Sequence, residues 1–97
     1  MAFGATRMVK GATVLYRGNV QGVGFRYTAC QIARGYAVTG FVKNISDGTV
    51  RVVAEGEEPD VTHFLRDVRQ HMAHFIRSEE IQWQEPEKRF TEFEIRF

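Results

Sequence analysis

Cysteine is almost missing from this sequence: Cys30 is the only one in 97 residues. It has no partner for an internal disulfide, which excludes a stapled scaffold and suits a reducing cytosol, although a disulfide-free secreted domain shares that property. A cytoplasmic setting is the expectation. No apolar run is long enough to span a bilayer, and the opening MAFGATRMVKGA lacks an apolar stretch of signal-peptide length. Excess charge is missing too. Thirteen Lys and Arg against 12 Asp and Glu leave a formal net charge of +1. So weak a field cannot steer the chain to nucleic acid or to an anionic membrane, and any anion site must be a local arrangement. There is no internal repeat, no low-complexity segment and nothing that reads as a linker.

What is present fits one compact domain. Apolar residues make up 43% and charged residues 26% of the chain, an ordinary globular balance. A chain of this size buries roughly 65% of its unfolded surface, enough for a core without staples. Residues 1–10 read as a flexible tail, and residues 11–97 as the domain.

The periodicities predict seven elements. ATVLYR (12–17) is β-branched and aromatic and ends at a glycine, which favours a strand. Phe25, Ala29, Ile32, Ala33 and Tyr36 recur at helical spacing, with Gly35 as terminator, predicting a first helix of about three turns. AVTGFVKN (37–44) and TVRVVAEG (49–56) flank Asp47-Gly48, a short-range hairpin signal. A second helix opens at Pro59 and carries Val61, Phe64, Leu65, Val68, Met72 and Phe75 on one face. EEIQWQ (79–84) and FEIRF (93–97) alternate as strands do. The order is βαββαβ with an extra terminal strand. Two one-faced helices need a shared, mainly antiparallel sheet to cover, and that predicts an α+β, ferredoxin-like split βαβ sandwich.

The stretch GNVQGVGFR (18–26) joins the first strand to the first helix and holds Gly18, Gly22 and Gly24. Its backbone amides and the first N–H groups of the helix face one space, where the helix dipole favours an anion. Neither nucleotide signature fits. Phe25 and Arg26 stand where a P-loop needs Lys and Ser or Thr, and Tyr27 stands where a dinucleotide fingerprint needs its third glycine. Arg26, in the first helical turn, can fold back over the loop and offer a planar fork to a phosphoryl group. The predicted topology puts the ends of strands one and two at one sheet edge, so Asn44 should face the loop across roughly two strand spacings.

GNVQGVGFR followed by GFVKN, DGTVRVVAEG and the terminal FEIRF closely resembles the acylphosphatase family, over nearly everything after residue 12. The resemblance implies hydrolysis of a carboxyl–phosphate anhydride to carboxylate and phosphate, with no metal and no cofactor. It implies that Arg26 and the backbone amides of Gln21, Gly22, Val23, Gly24 and Phe25 bind the phosphoryl group, and that Asn44 orients the attacking water. The implied partner is a small-molecule acyl phosphate, with no nucleic acid and no membrane, and the implied state is a monomer. Two features depart from the family pattern. Asn19 stands where the loop usually has arginine, and RQHMAHFIRSEE replaces the usual Gly-Pro turn after helix two.

Two other function classes stay open. One is a non-catalytic phosphate or acyl-phosphate binding module, like the acylphosphatase-like domain that begins larger hydrogenase-maturation proteins; the short chain argues against it. The other is nucleic-acid binding on the same βαββαβ plan, against which stand the near-zero charge and a third strand without the RNA-recognition signature. His63, Asp67 and His74 share the polar face of helix two and read as a solvated face, with His71 on its flank. Cys30 has no base beside it in the sequence. Trp83, Phe90, Phe93 and Phe97 read as core and strand residues.

Overall fold

The structure is a computed structural model that describes residues 8–97. Its elements, in chain order, are β1 (Val9–Gly18), α1 (Phe25–Ala33), β2 (Thr39–Asn44), β3 (Val50–Glu57), α2 (Glu58–His71), β4 (Ile76–Gln84) and β5 (Phe93–Arg96). Of the expected tail, residues 1–7 lie outside the described residues; Val9 and Lys10 belong to β1, paired with Glu57 and Gly56 of β3.

The five strands lie in the order β4-β1-β3-β2-β5. β3 is antiparallel to both β1 and β2, so β1 and β2 run parallel to each other with β3 between them. β5 adds to the outer edge of β2 in parallel, Ile95 opposite Val42. This is the split βαβ sandwich with its extra strand, both helices on one face. Alternation on the strands decides which side they cover. Ala12, Val14 and Tyr16 of β1 and Val50, Val52 and Ala54 of β3 are fully buried, because all six point to the helix side.

α2 follows its amphipathic pattern: Val61, Phe64, Leu65 and Val68 are buried. Glu58 and Asp60 in its first turn and Arg69 and His71 in its last complement the helix dipole. The helix stops at His71, earlier than the apolar set implies. Met72 caps it, and Phe75 lies in the following turn, where its N–H donates to the Met72 carbonyl at 2.9 Å. α1 is likewise shorter than expected and ends at Ala33, because the Gly35 and Tyr36 N–H groups turn back to the carbonyls of Ile32 and Ala33. Its start is seated by aromatic packing, with the Tyr16 and Phe25 ring centroids 4.8 Å apart.

Two aromatic expectations need correction. Trp83 is 43% exposed and Phe97 90% exposed. Trp83 sits on the helix side of β4, but β4 is an edge strand that α2 meets at Glu79, through Arg69, and Trp83 itself stays exposed. Phe93 and Phe90 are half-buried, packed on Phe64 and Phe41 with centroids 5.1 Å and 5.9 Å apart.

Glu55 anchors the connection from β4 to β5. Its buried carboxylate accepts the Glu87 N–H at 2.6 Å and the Lys88 N–H at 3.0 Å. Removing it leaves two backbone donors without their charged acceptor. Glu55→Ala is therefore expected to cost about 2 to 3 kcal/mol, the scale of charge-assisted hydrogen bonds. The urea midpoint should fall at unchanged slope; a shift below about 0.5 kcal/mol would show that the clamp carries no stability.

Candidate active site

The glycine loop divides its labour. Gly18 closes β1 and lies at an irregularity in the pairing with β4. A side chain there would approach the Phe75 carbonyl oxygen to 2.4 Å, so this glycine permits close strand contact and does not shape the loop for a ligand. Gly22 and Gly24 do shape it. Both are left-handed, with φ of 77° and 80°, and open space surrounds the position of a β-carbon at each.

Gly24 is also the N-cap of α1. No side chain caps this helix end and no acidic residue occupies its first turn. The first intrahelical bond runs from the Thr28 N–H to the Gly24 carbonyl at 2.9 Å. Among the described residues, the amides of 21–25 find no backbone acceptor. Uncapped donors at a helix start, with no carboxylate to compete, favour an anion.

The loop is tied to the β2–β3 hairpin by a side chain that local sequence patterns do not reveal. Gln21 Nε2 donates to the carbonyls of Ile45 at 2.7 Å and Thr49 at 2.9 Å. The hairpin is braced in turn by Asp47, whose Oδ1 accepts both the Thr49 N–H and hydroxyl. Those two bonds hold the Asp47 carboxyl below its ordinary pKa. Loop and hairpin thus form one unit, with Asn44 at its edge.

A cleft of about 170 Å³ brings together Gly22, Gly24, Phe25, Arg26 and Asn44, lined also by Val20, Tyr27, Ile95 and Phe97. The two expected side chains, from α1 and the end of β2, therefore share one space with the loop. Gln21 and Val23 do not line it, although both belong to the loop. Phe97, expected in the core, instead places its ring centroid 4.8 Å from the Arg26 guanidinium carbon. A cation over an aromatic face is held in orientation. The sequence carries half of the signal, since Phe97 is in phase with Phe93 and Ile95; the parallel pairing that carries the end of β5 to the edge where β2 ends is visible only in the structure.

Asn19 faces solvent, and its N–H donates to the Phe75 carbonyl at 2.9 Å, linking the loop to the turn after α2. The other candidates stay outside the cleft. His63 and His74 are exposed, and Asp67 accepts the Tyr36 hydroxyl. No group of three potential metal-ligating side chains occurs among the described residues. Burial pushes the Cys30 thiol above its ordinary pKa; Arg34 opposes this and Glu94 adds to it.

Residues 12–95 match the family model described as Acylphosphatase. A curated acylphosphatase of Oceanobacillus iheyensis is 37% identical over 83 residues, which are 84% of this chain and 91% of the relative. One from Clostridium acetobutylicum is 48% identical over 64 residues, 66% of this chain and 69% of the relative. The crystal structure of acylphosphatase from Bacillus subtilis superposes with a TM-score of 0.78 at 27% identity, covering 93% of this chain and all of that one. Full-length HypF, in its phosphate- and nucleotide-bound form, gives a TM-score of 0.83 at 29% identity, with 98% of this chain covered and 13% of the HypF chain. The family match takes in both helices and nearly all of the sheet, and the two curated acylphosphatases are matched over most of their own length: this chain belongs to the acylphosphatase family of enzymes.

Proposed function

We propose that the chain hydrolyses the carboxyl–phosphate bond of acyl phosphates without a metal ion. In this reading Arg26 and the backbone amides of Gln21, Gly22, Val23, Gly24 and Phe25 bind the phosphoryl oxygens, and Asn44 orients the attacking water. The observation that supports it is the single cleft shared by Arg26, the uncapped start of α1 and Asn44.

The chemistry asks for little more. The water oxygen bonds to phosphorus as the bond from phosphorus to the bridging oxygen breaks, and the electron pair leaves on the carboxylate. That carboxylate has a conjugate acid of pKa about 4 to 5, so it departs without a general acid at neutral pH. A loose phosphoryl transfer needs chiefly positioning and charge stabilisation. The guanidinium and the amides supply charge; the Asn44 side chain supplies position. A bound phosphoryl oxygen takes the water's proton.

No helix among the described residues is long and apolar enough to cross a membrane. A single unpaired cysteine supports a cytoplasmic setting, and the reading takes the enzyme to act as a monomer on a small-molecule substrate.

The test is phosphate release from acetyl phosphate by the purified chain, with and without excess chelator. Equal turnover in both is expected. Activity that chelator abolishes and magnesium restores would overturn metal independence. Phosphate binding with no hydrolysis under either condition would favour the binding module.

A further inference from the structure

The face of the sheet that the helices leave open ends in a row of cations. Val14 and Tyr16 of β1 and Val50 and Val52 of β3 are buried on the helix side, so by alternation Arg17 and Arg51 point to the open face. Lys43 of β2 stands opposite Arg51 on one side and beside Arg96 of β5 on the other. Arg77 of β4 joins them through the irregular pairing at Arg17 and Gly18, and with Arg17 it lines a hollow of about 160 Å³ against the β2–β3 hairpin. Each strand thus gives one cation, in the spatial order Arg77, Arg17, Arg51, Lys43, Arg96. At about 4.8 Å between strands the row is about 19 Å long.

Little inside the chain neutralises it. Arg17 meets Glu80 at 3.3 Å and Arg96 meets Glu94 at 3.1 Å, both as exposed pairs. Lys43, Arg51 and Arg77 have no ion pair among the described residues. Asp47, which shares the hollow with Arg17 and Arg77, already accepts the Thr49 N–H and hydroxyl. Like charges directly opposite one another destabilise a sheet, so Lys43 against Arg51 is an arrangement that folding alone does not reward. In a chain whose formal net charge is only +1, topology has gathered these cations from distant parts of the sequence.

We propose that the row binds a chain of condensed phosphates, with linear inorganic polyphosphate as the ligand class. All but one of the cations are arginines, whose planar forks match phosphoryl oxygens. Spacing selects against an acidic peptide: an extended strand presents same-side carboxylates about 6.6 Å apart, out of step with cations about 4.8 Å apart. A condensed phosphate chain carries charge on every phosphorus and bends to meet each cation. Single-stranded nucleic acid would call for aromatic platforms under its bases. On this face Phe41 is already taken, with the Arg96 guanidinium carbon 4.2 Å from its ring centroid and Phe90 packed on it. The row lies on the other side of the sheet from Arg26, so its ligand is independent of the hydrolytic reading.

The test is calorimetric titration of the purified chain with linear polyphosphate at about 0.1 M salt and above, where exposed charges act over about 10 Å or less. Lys43→Gln and Arg51→Gln should each weaken binding about fivefold and lower the slope of log K against log salt by about one, as loss of one phosphate contact does. Arg66→Gln, which removes the same charge from α2, and Arg26→Ala in the cleft should each change it less than about twofold, because distant sites act independently. The urea midpoints of Lys43→Gln and Arg51→Gln should stand at or above that of the unmodified chain, since each relieves a like-charge pair. Loss of binding in Arg26→Ala would put the phosphates in the cleft, and equal weakening by Arg66→Gln would reduce the effect to net charge. Tighter binding of oligothymidylate or polyglutamate of matched length would assign the row to another polyanion, and lower midpoints in both variants would show that folding itself holds the row. Any of these, or no binding by the unmodified chain, overturns the proposal, and absence of acetyl phosphate turnover leaves the comparison intact.

Discussion

Arg26→Ala is expected to lower kcat/KM for acetyl phosphate by about 10² to 10⁴, and Arg26→Lys is expected not to rescue it. Two charge-assisted hydrogen bonds from one guanidinium are each worth about 1.5 to 3 kcal/mol, and about 1.4 kcal/mol corresponds to tenfold in rate. Their joint loss thus spans roughly two to four orders of magnitude. Lysine keeps the charge but not the planar fork that meets two phosphoryl oxygens at once. It also gives up the arrangement that orients the wild-type cation, with the guanidinium carbon 4.8 Å from the Phe97 ring centroid. Binding and turnover should fail together, so the inhibition constant of inorganic phosphate must rise with the loss of kcat/KM. Unfolding by urea should be near wild type in both variants, because Arg26 makes no ion pair among the described residues. Wild-type turnover in Arg26→Lys would remove the fork from the mechanism.

How much of this was legible in the sequence depends on whether burial wrote a pattern there. α2 was readable because Val61, Phe64, Leu65 and Val68 face a sheet that covers them completely. The hairpin was readable because Asp47-Gly48 is a local signal with a local cause. β4 begins three residues before the expected strand, at Ile76, and is mostly exposed. On this edge strand only Ile76 and Glu79 of IRSEE are partly covered, Glu79 by an ion pair with Arg69 of α2, so no apolar alternation marks its start. β1 extends back to Val9 for a related reason: Val9 and Lys10 pair through backbone with Glu57 and Gly56 and are exposed. Phe97 and Trp83 show the converse, since alternation identifies the side of a sheet to which a residue points but not whether anything covers it.

The site was legible to the extent that topology, and not contact, defines it. Arg26 and Asn44 follow from a strand-to-helix loop and a parallel strand whose ends share an edge. Gly18 looked like a loop glycine, but its reason lies in the backbone of Phe75 and Arg77, more than fifty residues away in sequence. The Gln21 side chain, bridging to Ile45 and Thr49, is likewise a long-range hydrogen bond that no local spacing encodes. Tyr27 and Ile95 became site residues only once β5 was seen to pair in parallel with β2.

Asn44→Ala separates positioning from binding. It is expected to lower kcat by about 10², the scale seen when one preorganised polar group is lost at a reacting centre, while the inhibition constant of inorganic phosphate changes less than about threefold. The backbone should not move. Asn44 is the last residue of β2, paired with Val50, and the hairpin beyond it is held by the Ile45 N–H donating to the Thr49 carbonyl at 2.9 Å. The Gln21 side chain, donating to the carbonyls of Ile45 and Thr49, keeps the loop amides in place independently of the Asn44 side chain. A loss confined to kcat therefore reports on the water and not on the cradle: an interaction made only as the reaction proceeds lowers kcat and leaves ground-state affinity alone. Side-by-side steady-state kinetics and phosphate inhibition decide the matter. If phosphate affinity collapses while kcat survives, Asn44 belongs to the anion cradle, and the water must be oriented from elsewhere in the cleft.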